Sequence, residues 1–159
     1  MPASHCGLCG HCQPHTGPSQ APPFGQAYNP DEFTAAGGAA HEIPLGMFGP
    51  QNRVRHNGNS LVIQERGVYE ISYGATVSHE FGNTIVGLFA AVAGTTEPIP
   101  PTLSDWWAMP TSHIQSASKT AFVCLPAGTR LSLMVRSGQP GTLIVSPGAT
   151  LTVRRIGDC

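Results

Sequence analysis

The first fifteen residues hold the most reactive side chains of the sequence. Cys6, Cys9 and Cys12 follow one another at intervals of three, with three histidines interleaved. Thiolates and imidazoles are zinc ligands, and a Cys-x-x-Cys pair is half of a structural zinc site. The second half is absent nearby. A metal site would therefore need all three cysteines and a histidine such as His11 within one short loop.

Covalent cross-linking is the alternative chemistry, and the cysteine count favours it. The chain has five cysteines, an odd number, and its last residue is Cys159. We expect Cys6, Cys9, Cys12 and Cys159 to be candidates for disulfides between molecules. Cys124 lies in a strand-like segment and is expected to be a buried free thiol. Thiols stay reduced in the cytoplasm, so cross-linking requires release to an oxidising exterior.

No motif predicts catalysis. His41-Glu42 and His79-Glu80 begin like a zinc-peptidase helix, yet neither is followed by the second histidine. The sequence also lacks a nucleophile elbow, a phosphate-binding loop and a dinucleotide glycine pattern. A thioredoxin-like role would need a βαβ context around the cysteines, which is not indicated. We therefore predict neither an enzyme nor a cofactor.

The two tryptophans are adjacent, at Trp106 and Trp107, in a segment expected to be a long loop. Loop tryptophans can form a surface for carbohydrate or for a protein partner. Packing against the protein itself is the alternative, because large aromatic side chains bury well. Both interpretations stay open from the sequence.

Composition limits the class of protein. Charged residues make up 11% of the 159 residues, while Gly and Pro number 19 and 15, which is typical of one turn-rich β domain. The formal net charge is −1 and Lys119 is the single lysine, so nucleic acid is not an expected partner. No apolar run approaches the roughly 20 residues that span a bilayer. The N-terminus lacks a secretory signal pattern, which predicts synthesis in the cytoplasm.

The sequence changes character near residue 40. Residues 1–40 are rich in Cys, His, Pro and Gly and are expected to form a flexible linking arm. Residues 41–159 alternate short apolar runs with turn signals, which predicts an all-β, antiparallel jelly-roll sandwich. The clearest strand is 68–77, in which Tyr69, Ile71 and Tyr73 share one face.

The run 84–92 is apolar on both faces, unlike the other predicted strands. Val86 and Leu88 lie on one face, and Ile85 and Phe89 lie on the other. One face of a strand in an antiparallel sandwich is usually solvated. We therefore interpret Ile85 and Phe89 as candidates for a trimer interface. A loop folded over that face is the alternative.

Three segments carry a family resemblance: 65–73 (ERGVYEISY), 122–133 (FVCLPAGTRLSL) and 149–156 (ATLTVRRI). In this order they resemble the tumour necrosis factor and complement-head superfamily, and above all the C-terminal domains of BclA-type collagen-like spore-surface proteins. The resemblance covers about residues 43 to 156. It implies a jelly roll of two sheets that forms a homotrimer on spores or other bacterial surfaces.

One departure from that family shapes the functional expectation. Residues 17–50 contain Gly and Pro without a strict period of three, so no collagen triple helix is expected before the head. The cysteine arm stands in its place. We therefore expect a self-assembling structural subunit of a spore-associated fibre, appendage or exosporium-like layer, with itself and other surface proteins as partners. A trimeric adhesin or ligand-binding module is the alternative.

Overall fold

The computed structural model describes residues 21–80, 83–108 and 114–159, and in these ranges the protein is all-β. A single 3-10 turn, Pro100–Thr102, is the one helical element there. No helix in the described ranges has the length and apolarity needed to cross a bilayer. Thirteen strands occur in these ranges: β1 (Phe24–Tyr28), β2 (Phe33–Ala36), β3 (Ala40–Glu42), β4 (Met47–Phe48), β5 (Val54–Asn57), β6 (Ser60–Ile63), β7 (Gly67–His79), β8 (Thr84–Val92), β9 (Ser104–Ala108), β10 (Gln115–Leu125), β11 (Arg130–Ser137), β12 (Thr142–Val145) and β13 (Thr150–Gly157).

The strands form two antiparallel sheets. In sheet A, β12 and β13 pair with successive parts of one edge of β7, at residues 77–79 and 68–74, and β10 pairs along the other edge. Beyond them, β2 pairs with β12, β1 pairs with β13, and β4 pairs with β1. Sheet B has the order β5-β6-β11-β8-β9, and β3 pairs with β11. Neighbouring strands such as β1 and β13 are far apart in sequence, which is the crossed connectivity of a jelly roll. The predicted fold class is confirmed.

The core lies between the two sheets, and the long strand β7 shows how the sequence specifies it. Its residues alternate between buried and half-buried along the whole strand, because successive side chains point to opposite faces. Tyr69, Ile71 and Tyr73 face inward and are at most 3% exposed. The buried Tyr73 hydroxyl faces the carbonyl oxygens of Leu88 and Thr102, so its one polar atom is satisfied.

The jelly roll begins earlier than the expected boundary between residues 40 and 41. Strands β1 and β2 both lie within the predicted arm, and β1 pairs with β13 and β4 inside sheet A. The inward positions of β1 are Gly25 and Ala27, since a Cβ at Gly25 would lie 2.6 Å from Cγ1 of Val54. The strand carries no large apolar residue on its inner face, and its pattern therefore resembles that of a polar linker.

The expected role of Phe89 in a subunit interface is wrong. Phe89 is completely buried within its own chain, in a small cluster with Ala91, Met134, Ala40 and Leu103 outside the main core. The segment that carries Leu103 folds over this face of β8, which was the alternative interpretation. Ile85 lies on the same face and stays 44% exposed.

Candidate interaction surfaces

The structure pairs two of the five cysteines. Cys124 and Cys159 form a disulfide within the chain, with 5.7 Å between their Cα atoms. Cys124 lies on the exposed face of β10, so the expectation of a buried free thiol is wrong. While this bond is intact, Cys159 is not free to bond to a neighbouring molecule. The other candidates, Cys6, Cys9 and Cys12, lie outside the described residues.

The outer face of sheet A is lined by small hydroxylated side chains, which we call the hydroxyl face. The Ser72 hydroxyl lies 2.9 Å from that of Thr120, and the Thr76 hydroxyl lies 2.8 Å from that of Ser116. Gly74 lacks a side chain between these pairs, and shallow depressions of about 290 and 420 Å³ lie beside it. The face consists of Ser72, Gly74, Thr76, Ser116, Ser118, Thr120, Thr150 and Thr152.

Strand β10 forms one edge of sheet A. Its eleven residues pair with β7 on one side and, in the part of the chain that the structure describes, with no strand on the other. Phe122 projects outward from β10 and is 60% exposed. Ile156, at the irregular end of β13, is a second exposed apolar side chain of this sheet. A long, uncovered edge with exposed apolar groups is a surface that proteins usually protect.

A second apolar patch lies at the opposite edge of the same sheet. Met47 and Phe48 form β4, and both are about half exposed. The Phe48 ring contacts the ring of His56, with centroids 4.9 Å apart. Four strand spacings separate β10 from β4, a distance of about 19 Å. Sheet A therefore has two different apolar edges.

The base of the N-terminal arm is fixed to the jelly roll. The Arg155 amide donates a hydrogen bond to the Pro23 carbonyl oxygen at 2.8 Å. The side chains of Asn52 and Arg53 donate to the carbonyl oxygen of Ala21 at 2.9 and 2.6 Å. Arg155 is four residues from Cys159, so the described part of the chain begins at the end of the domain that carries the disulfide.

The tryptophans lie in strand β9, at the edge of sheet B, and not in the expected long loop. Trp106 is partly buried and packs against the main core. Trp107 points to the other face of the sheet and is 65% exposed. Neighbouring positions of a strand face opposite sides. The packing interpretation therefore describes Trp106, and the surface interpretation describes Trp107.

An ion pair lies two residues along β9 from Trp107, on the same face of the strand. Arg136 of β11 reaches Asp105 across the intervening strand β8, with 3.1 Å between Nη2 and Oδ2. Gly87 stands between them, and a Cβ there would lie 2.3 Å from Oδ1 of Asp105. The Arg136 guanidinium also lies over the Phe89 ring, 5.5 Å from its centroid. Sequence reasoning missed this group because its members are far apart in the chain.

Catalytic and metal chemistry have little support in the described ranges. No three His, Cys, Asp or Glu side chains come together there as a possible metal site. The candidate zinc ligands Cys6, Cys9, Cys12 and His11 lie outside those ranges. Burial raises the pKa of Tyr73, and the nearby Asp105 carboxylate adds to the effect. Burial likewise raises the pKa of Tyr69. Both are inward-facing core residues, and burial is the main cause of both shifts in pKa.

Comparison with known proteins identifies the fold. No family model and no curated protein matches the sequence. Murine APRIL, crystallised at pH 5.0, superposes with a TM-score of 0.58 at 12% identity, covering 85% of this chain and 99% of that one. Eiger TNF from S. frugiperda gives 0.57 at 16% identity, with 87% and 95% covered. The globular domain of zebrafish complement 1qA gives 0.57 at 14% identity, with 86% and 99% covered. The chain therefore has the jelly-roll fold of tumour necrosis factors and complement heads.

Proposed function

We propose that this chain is a non-enzymatic structural subunit whose head forms a homotrimer and whose N-terminal cysteine arm links heads together. The observation that carries the proposal is the edge strand β10, eleven residues long and without a second partner in the described ranges, with Phe122 exposed beside it. An edge of this kind favours association, since it offers unpaired backbone groups and apolar area.

The two edges of sheet A support a closed ring. The patch on β10 differs from the patch on β4, so a contact between them is heterologous. Such contacts form a ring when the rotation between neighbouring subunits is a whole fraction of a full turn. The hydroxyl face includes Ser116, Ser118 and Thr120 of β10, and its small side chains allow a second subunit to approach closely. The family resemblance supports three as the number of subunits.

The arm supports linkage between heads. Its base is held at Ala21 and Pro23, and the eleven residue steps from Cys12 to Pro23 span up to about 40 Å when extended. The arm thiols can therefore reach a neighbouring molecule. The disulfide between Cys124 and Cys159 supports an oxidising final location. A spore or cell surface is the location that the family resemblance supports, with other surface-layer proteins as further partners.

Sedimentation of the purified protein tests the trimer. The chain has a mass of 16.6 kDa, and we expect a species of three times that mass. Phe122→Lys should shift the protein to monomer, because it places a charge in the proposed contact. Val92→Lys, at an exposed position of sheet B, is the matched control and should remain a trimer. A monomeric wild-type protein, or a trimeric Phe122→Lys variant, would overturn the proposal.

Electrophoresis without reductant, together with electron microscopy, tests the arm. Disulfide-linked species larger than a trimer should disappear when Cys6, Cys9 and Cys12 are all changed to Ser. They should persist in the Cys124→Ser, Cys159→Ser double variant, whose arm is unchanged. Assemblies that survive full reduction, or that persist in the triple variant, would contradict linkage through the arm.

The exposure of Trp107 favours a second candidate function, a trimeric surface adhesin or ligand-binding module. That function is compatible with the first, because Trp107 lies on sheet B and the proposed subunit contact lies on sheet A.

A further inference from the structure

A small pocket on the outer face of sheet B has the composition of a ligand site. Its volume is about 170 Å³, and we call it the tryptophan pocket. Ligand sites generally combine apolar or aromatic surface with a few convergent polar groups. The pocket is lined by Asn83, Thr84, Ile85, Trp107, Gly138 and Gln139.

The apolar part of the pocket is formed by Trp107 and Ile85, which are directly paired between β9 and β8. Both remain exposed, at 65% and 44%. An exposed tryptophan fixed on a strand offers a large and rigid apolar surface. The carbon-bound hydrogens on one face of a pyranose ring can stack on such an indole.

The polar part suits hydroxyl groups. Asn83 and Gln139 carry amides, which donate and accept hydrogen bonds. The Asp105 carboxylate, two residues along β9 from Trp107, is held by Arg136 and has lone pairs left over to accept from hydroxyls. The ion pair balances its own charge, so the surroundings favour a neutral ligand over an anionic one.

Thr84 supplies an independent observation. This residue lines the pocket and is 1% exposed, and its hydroxyl has no hydrogen-bond partner among the described residues. Buried polar groups are nearly always paired, and leaving one without a partner is destabilising. A Cβ placed on Gly138 would lie 3.5 Å from that oxygen, so the hydroxyl of a ligand that enters beside Gly138 would provide the missing partner.

The size of the pocket argues against a protein partner. A stable protein interface buries about 800 Å² on each side, and here two side chains provide the exposed apolar surface. From the stacked aromatic surface, the polar rim and the neutral charge balance, we propose that the tryptophan pocket binds a neutral pyranose sugar. A trimer would display three such sites and gain avidity on a surface that carries many sugars. Binding at one site does not depend on trimerisation.

Titration of the full chain with neutral sugars tests this proposal. The probes are methyl β-glucoside, methyl β-galactoside and N-acetylglucosamine, and the readout is tryptophan fluorescence together with amide chemical shifts. At least one probe should bind saturably at millimolar concentration and shift the amide signals of Ile85 and Gln139. N-acetylneuraminic acid, an anionic sugar, should bind at least tenfold more weakly.

Trp107→Ala should weaken binding at least tenfold, and Trp107→Phe should retain part of it. Val92→Ala, an exposed apolar position on the same sheet, is the control and should bind like the wild type. Thermal unfolding confirms that each variant folds. The proposal is overturned if none of the neutral probes binds, if Trp107→Ala binds normally, or if the anionic sugar binds best. The Phe122→Lys variant separates the two proposals, because it should bind sugar as a monomer.

Discussion

Cys124 and Cys159 are joined across a third strand. Val68 of β7 is paired with Cys124 on one side and with Gly157 on the other. The disulfide therefore connects the end of β10 to the segment that follows β13, on either side of β7. It closes a loop with a sequence separation of 35 residues. It holds an edge strand to the centre of sheet A, where that edge has no second neighbour among the described residues.

Removing this disulfide should destabilise the head. Closing a loop of this length restricts the unfolded chain, and on that basis the double variant Cys124→Ser, Cys159→Ser should lose about 3–4 kcal/mol of unfolding free energy. Urea denaturation at one fixed protein concentration measures this loss of unfolding free energy. Cys6→Ser is the control and should unfold like the wild type. Equal stability of the double variant and the wild type would contradict a structural role for the bond.

Truncating Phe89 should also destabilise the protein, because the ring is buried in its own chain. Phe89→Ala should cost about 3–5 kcal/mol, with a smaller loss for Phe89→Leu if the alanine variant does not fold. Sedimentation should show the wild-type oligomeric state for any variant that folds. Ile85→Ala, on the same face but exposed, should unfold within about 1 kcal/mol of the wild type. Dissociation of Phe89→Leu with unchanged monomer stability would restore the interface interpretation.

Gly87 should not tolerate a side chain. A Cβ there would overlap with Asp105 and Arg136, so Gly87→Ala should displace the ion pair and cost about 1–3 kcal/mol. Gly46→Ala is the matched control, because a Cβ at that position meets nothing within 4 Å. Thermal unfolding of the two variants should show a large decrease for the first and little change for the second. The opposite order would contradict the packing described here.

Tyr73 should make the stability fall at alkaline pH. Burial raises the pKa of its phenol in the folded state, while the unfolded chain releases the proton near pH 10, the ordinary value. The ionisation of Tyr73 therefore does not change the stability below about pH 10, and it lowers the stability as the pH rises above that value. Tyr73→Phe should reduce this decrease.

At neutral pH the same variant should lose about 1–2 kcal/mol, because the carbonyl oxygens of Leu88 and Thr102 lose their donor. Tyr28→Phe on β1 is the control and should keep the wild-type alkaline decrease. Urea titrations between pH 7 and 11 provide both measurements. An unchanged alkaline slope in Tyr73→Phe would contradict the assignment.

The sequence predicts the head well where large apolar residues alternate. The inward positions of β7, such as Tyr69 and Ile71, follow directly from a period of two. The same rule missed β1, because its inward residues are Gly25 and Ala27. Whether a strand face is exposed to solvent or covered by another segment of the chain depends on tertiary structure. For this reason the sequence pattern wrongly assigned Phe89 to a subunit interface.

The sites were less predictable than the fold. Exposure of Cys124 depends on the register of β10 against β7, and its pairing with Cys159 depends on a strand that is distant in sequence. The sequence leaves open whether the tryptophans face solvent or the core, and the structure shows that Trp107 is the exposed one. Asp105 and Arg136 are 31 residues apart, and no local pattern could have joined them.

The two ends of the long strand β7 lie beside different chemical groups. Gly67 begins the strand beside the disulfide and the base of the arm, and His79 ends it near the start of β8, where Ile85 lines the tryptophan pocket. Twelve residue steps of about 3.3 Å separate these ends by about 40 Å. If the arm attaches the head to a surface, the tryptophan pocket lies at the end of the head away from that surface. A layer of such heads would then be attached through one side and would present its sugar-binding pockets to solvent on the other.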